Sequence, residues 1–155
     1  MKNIALFAAL VLASPVAGQQ TPPEYGDAIS LEHAKTIVAA AEQEARARQF
    51  KMAFAIVDPA GELILFHRMD GTQYGSTDVA REKARTAARF KRPTKVFFDA
   101  VSGGRTPTLS VPGVIAIEGG VPILVNGEIV GGLGVSGGTA EQDGEIASAG
   151  LARAR

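Results

Sequence analysis

Residues 131–138 read Gly-Gly-Leu-Gly-Val-Ser-Gly-Gly, and the fold turns on what those glycines do. Within them, Gly132-Leu133-Gly134-Val135-Ser136-Gly137 fits G-x-G-x-x-G, the spacing that opens the first helix of a dinucleotide-binding βαβ unit. That unit needs a returning parallel strand and an acidic residue about 20 positions further on. Only 18 residues follow Gly137, enough for one helix and no strand. The glycines therefore read as strand residues whose missing Cβ lets a helix or a partner subunit approach the backbone closely.

The flanking chain supports a strand. Asn126-Gly127 separates Val121–Val125 from Glu128–Val135, and Asn-Gly between apolar runs is a strong hairpin signal. Val114–Ile117 reads as a further strand just upstream. A second hairpin joins Met52–Val57 to Glu62–Arg68 through Asp58-Pro59-Ala60-Gly61, with proline second and glycine fourth as a type I turn prefers. A period of two on its second strand puts Glu62, Ile64, Phe66 and Arg68 on one face and Leu63, Leu65 and His67 on the other.

Helical spacing accounts for the rest. Ser30 caps a helix whose Leu31, Ala34, Ile37, Val38, Ala41 and Ala45 share a face to about Gln49. Ser76 is placed to cap a second helix running to about Phe90, which Pro93 stops. Thr94–Val101 reads as a short third helix, and Ala140 to about Arg153 as a last one. The order αββααβββα predicts a five-stranded antiparallel sheet with helices packed on it, an α+β fold.

Composition narrows the function classes. Lysine plus arginine and aspartate plus glutamate each number 16, so nothing favours a nucleic-acid partner. Residues 1–18 begin with Lys2, continue through an apolar run and end in small residues, as a secretory signal peptide does. Residues 19–28 read as a flexible arm, and 29–155 as one domain. The expectation is a periplasmic or secreted protein without a membrane span. There is no cysteine, hence neither disulfide nor thiolate chemistry.

Few residues are left for chemistry. His67, at the end of its strand, either faces a pocket at the mouth of the sheet or bonds to backbone; His33, in the first helical turn, fits a cap or solvent as readily as a ligand. Val79, Lys83, Thr86 and Phe90 form one helical stripe that is polar in the middle. Lys83 and Thr86 there fit a cavity edge, or equally a snorkelling lysine and a threonine bonded to its own helix. Arg81, Arg85, Arg89 and Arg92 make a neighbouring cationic stripe, which either meets ligand carboxylates or faces water.

Taken in order, "VDPAGELILFHRMDG", "GSTDVAREKARTAARF" followed by Pro93-Thr94, "PGVIAIEGGVPI" and "GGLGVSGGTAEQD" closely resemble the GlcG/HbpS family of haem-binding proteins, related to the C-terminal domain of PduO-type proteins. The resemblance spans Ile29 to Ala152. It implies a profilin-like sandwich, a homo-oligomer and haem as ligand. It also implies a pocket built by Arg68, Met69, Asp70, Lys83, Thr86, Glu118, Gly119 and Gly120, with Pro122. The iron-ligand candidates are His67, Met69, His33 and Thr86, in that order. Phe97 or Phe98 would wall the macrocycle, and an arginine or lysine would pair with its propionates. The expected role is haem sequestration or sensing. The alternative is an enzyme acting on a small carboxylated or hydroxylated metabolite, with Lys83 as base or Schiff-base former and Arg68 as anion clamp. A structural module whose glycine-rich strand makes a subunit contact is the third reading.

Overall fold

The computed structural model describes residues 21–154; the signal-peptide reading falls outside them. The elements are α1 (Leu31–Ala47), β1 (Ala53–Val57), β2 (Leu63–Arg68), α2 (Ser76–Arg89), α3 (Lys95–Ser102), a 3-10 turn at Thr106–Ser110, β3 (Gly120–Val125), β4 (Glu128–Ser136) and α4 (Ala140–Arg153). The strands form one four-stranded sheet in the order β2-β1-β4-β3, antiparallel throughout. It is an α+β fold, with α2 on one face and α1 with α4 on the other.

Side-chain size alternates along the two central strands and sets what each face can accept. On β1, Phe54 and Ile56 point one way and Ala53, Ala55 and Val57 the other. On β4, Leu133 and Val135 join the large side, where Ile37, Val38, Ile146 and Met52 meet them. Each fully buried aliphatic or aromatic side chain there contributes about 1.5–3 kcal/mol. On the small side, Gly132 and Gly134 lie under Ala80, Ala84 and Ala88 of α2. A Cβ on Gly134 would stand 2.6 Å from Ala84 N and would strike the Ala80 carbonyl. The G-x-G-x spacing is thus the small half of a period-two strand, and the close approach is that of α2.

Turns and caps follow local chemistry. Ser30 is extended and accepts from His33 N at 3.2 Å. Thr139 and Gln142 form a capping box at α4. Gly61 N donates to Asp58 O at 3.0 Å, and Asp58 Oδ1 accepts from Glu62 N at 2.8 Å. Asn126 and Gly127 have φ of 52° and 84°, as a type I′ hairpin turn requires.

Three expectations are corrected. Val114–Ile117 is not a strand, so the sheet has four strands and not five. The outer edge of β3 beside it is already engaged: Thr94 N donates to Gly120 O, and Gly120 N donates to Thr94 Oγ1, both at 2.9 Å. Pro122, next along that edge strand, has no N–H to offer. Ser76 does not cap α2. Gly75 holds that place with helical φ and ψ of −59° and −24°, because the turn before it already delivers the chain in helical conformation; the Ser76 hydroxyl is buried without a partner. Finally, part of the expected flexible arm is tied down. Gly26 N donates to Ile129 O at 3.0 Å, Ile129 N donates to Glu24 O at 2.8 Å, and the Tyr25 hydroxyl donates to Arg89 O at 2.9 Å.

Candidate functional site

Lys83 and Thr86 do point inward, and both are fully buried. What they meet is protein. Lys83 Nζ lies 2.6 Å from Asp143 Oδ2 and donates to Val135 O at 3.1 Å. Asp143 Oδ1 in turn accepts from Gly138 N at 2.9 Å. Burial pushes the Lys83 ammonium below its ordinary value and the Asp143 carboxyl above its own, and each partner's charge resists the other's shift. Such a pair holds α2 to the first turn of α4.

Thr86 Oγ1 donates to Gly113 O at 3.2 Å and accepts from Ile115 N at 3.0 Å, so it moors the irregular segment before β3. Neither the snorkelling lysine nor the threonine bonded to its own helix occurs. With two of its donors committed inside the fold, Lys83 is not presented as an open nucleophile or base, and the enzyme reading loses its residue.

Glu118, Gly119 and Gly120 do gather at Lys83. Gly119 has φ of +123°, and a Cβ there would stand 2.8 Å from both Lys83 Nζ and Asp143 Cβ. A Cβ on Gly120 would lie 2.6 Å from Thr94 Cγ2. The Glu118 carboxylate lies over Gly144, 3.6 Å from Lys95 Nζ. This cluster is filled by its own side chains. The two glycines are there because lysine and threonine atoms occupy the space that side chains would need.

The other expected pocket residues lie apart from that cluster. Arg68 pairs with Ala53, which pairs with Ser136, so it stands two strands away from the end of β4. Its guanidinium lies 4.9 Å from the Tyr74 ring centroid. Met69 is buried in the α1/α4 core, with its N–H donating to Met52 O. Asp70 is exposed in the turn that follows. His67 faces α1, across the sheet from Lys83. Its ring stacks on Phe54 with centroids 6.1 Å apart, and Nε2 stands 3.1 Å from Glu42 Oε2, off the line of a regular hydrogen bond. Of the haem-wall candidates, Phe97 meets Phe90 edge-on at 5.6 Å, and α3 has no buried residue.

His33 lines a cavity. A groove of about 460 Å³ runs between the start of α1, strand β3 and the end of α4. Ile37, Ile123 and Leu151 form its walls, and Pro122, Leu124 and Val125 its rim. Composition could not single out this place, because its residues come from three distant segments. Asp143 was likewise missed. The signal available was chemical: a lysine read as inward-facing needs a counter-charge, and Asp143 stands in the quoted glycine-rich motif.

Comparison with known proteins bears on this arrangement. The chain is 39% identical to Protein GlcG of Escherichia coli (strain K12) over 108 residues, 70% of this chain and 81% of that protein. The structure superposes on that of a double mutant of Streptomyces reticuli HbpS with a TM-score of 0.75 and 30% identity, covering 91% of this chain and 97% of the other. It superposes on the PduOC:Heme complex with a TM-score of 0.73 and 31% identity, covering 81% and 94%. Residues 29–152 match the family described as haem degrading protein HbpS-like, and the chain belongs to that family.

Proposed function

We propose that this protein binds haem in the groove beside His33. Membership of the HbpS-like family and the haem held by the PduOC relative support the ligand. On this chain, the observation that carries the reading is an imidazole and an apolar groove of about 460 Å³ at one place. That volume suits a ligand of cofactor size. Haem would bring an iron centre that takes an axial ligand, and His33 is the donor able to supply one there. The apolar walls would exclude water from the macrocycle.

The test is a haemin titration followed at the Soret band. The wild type is expected to give a saturable shifted band, His33→Ala to lose it or weaken it at least about tenfold, and His67→Ala to keep it. An unshifted, non-saturating spectrum sinks the proposal, as does a pattern in which His67→Ala alone removes the band. Met69 and Thr86 are poorer ligands, since both are buried and the threonine hydroxyl is engaged.

Sequestration or sensing outside the cytoplasm is the role we propose for such binding, with residues 1–18 as the export signal. Intact mass of the protein recovered from the periplasm or medium checks this, with Gln19 expected as the first residue. A homo-oligomer is part of the same reading. Exposed Val96, Leu109, Val111 and Ile117, on and around α3 and the 3-10 turn, support it, and sedimentation velocity distinguishes it from a monomer.

A further inference from the structure

We propose that a second cleft, between α2 and the β1–β2 hairpin, binds a small zwitterion bearing a short aliphatic side chain. The cleft has a volume of about 390 Å³ and lies across the sheet from the His33 groove. It falls at the lower end of the range for small-molecule sites. Leu63 supplies an apolar floor, backed from beneath by the buried Val57.

The charges around that floor are unequally used. Arg85 is engaged within the fold: Nε donates to Gly61 O at 2.9 Å, Nη1 to Glu82 Oε1 at 3.3 Å, and Nη2 stands 4.0 Å from Glu62 Oε2. Arg81 and Asp78 line the same cleft and form no ion pair among the described residues. They are three residues apart on one helix, a spacing at which opposite charges ordinarily meet. Phe66 explains why they do not. The Arg81 guanidinium lies 5.2 Å from the Phe66 ring centroid, drawn onto the sheet and away from Asp78. Its Nε is buried and has no acceptor, a state that favours an acceptor brought from outside.

One unpaired cation and one unpaired anion at a single apolar floor fit a ligand carrying both opposite charges. Its carboxylate would meet Arg81, its ammonium Asp78, and its side chain Leu63. A ligand with one charge would leave one of the two protein groups unanswered. An α-amino acid such as leucine has the required chemistry.

The test uses the purified haem-free protein, with leucine, 4-methylpentanoate (no ammonium) and 3-methylbutylamine (no carboxylate) as probes. Calorimetry and amide chemical-shift mapping read the binding. Leucine is expected to bind saturably, with shifts centred on Val57, Leu63 and Arg81, and each single-charge analogue to bind at least about tenfold more weakly. Arg81→Gln and Asp78→Asn should each weaken leucine by a similar factor, with thermal unfolding showing that both variants fold. Their haemin titrations should match the wild type, which separates this site from the one proposed for haem. Absence of saturable leucine binding overturns the proposal. So does an analogue that binds as well as leucine, or an Arg81→Gln variant with undiminished affinity.

Discussion

The two faces of the sheet are built on opposite principles. On the α2 face, Gly132, Gly134, Ala80, Ala84 and Ala88 bring helix and strand so close that a single Cβ would collide with backbone. Directly under the helix that face is closed, and its buried ions, Lys83 and Asp143, answer each other. On the α1/α4 face, large side chains such as Phe54, Ile56, Leu133 and Ile146 hold the helices off the sheet, and a groove stays open where α1, α4 and β3 part. Small residues under a helix therefore mark a closed contact. Room for a ligand arises where bulky residues act as spacers, or beyond the glycine contact at a helix's margin.

The contrast is sharpest in the interior ion pair. Lys83→Ala strands the Asp143 carboxylate in the core and is expected to cost about 3–5 kcal/mol, read as a shift in the urea midpoint. A Lys83→Met, Asp143→Leu double variant should recover most of it, since the cost lies in the unpaired charge. Gly134→Ala, which forces a methyl group into the Ala80 carbonyl, should cost about 1–3 kcal/mol by the same measurement. On the open face, Leu124→Ala at the groove rim, where the side chain is 49% exposed, should change stability by less than about 0.5 kcal/mol. Equal losses from Gly134→Ala and Leu124→Ala would break the comparison.

The smallest expected effect concerns acid. Asp143 is raised by burial, so the native state takes up this proton before the unfolded chain does. Its contribution to stability therefore grows as pH falls through the window between its raised and ordinary values. Glu44, largely covered between α1 and α4, is lowered by the hydrogen bond from Arg48. It contributes above the ordinary carboxylate value, and that contribution is lost as pH falls through its lowered one. Urea midpoints measured down the acid range should thus fall more steeply in Asp143→Asn than in wild type, and less steeply in Glu44→Gln. Parallel curves for the two variants would remove the distinction between the faces.

Much of the fold was legible because its signals are local. Period-two alternation, the Asn126-Gly127 turn and the Ser30 cap each act within a few residues, and strand parity alone set His67 and Arg68 on opposite faces. The glycine spacing is likewise local, the small half of a period-two strand that pairs antiparallel on both sides. What escaped was non-local. Val114–Ile117 has the composition of a strand, but Thr86, 29 residues from Ile115, claims its backbone. An inward-facing Lys83 is one of two readings that its helical stripe leaves open, and the Asp143 that makes it structural lies 60 positions on. The His33 groove depends on how three separate elements diverge, which no window of sequence contains.

Pro122 adds a consequence for assembly. With its ring on the free margin of β3, and with Thr94 capping the backbone at Gly120, that border offers an incoming β-segment neither a full row of donors nor a clear approach. Fibre-like stacking through this side is disfavoured. Copies of the protein that come together there must meet through side chains.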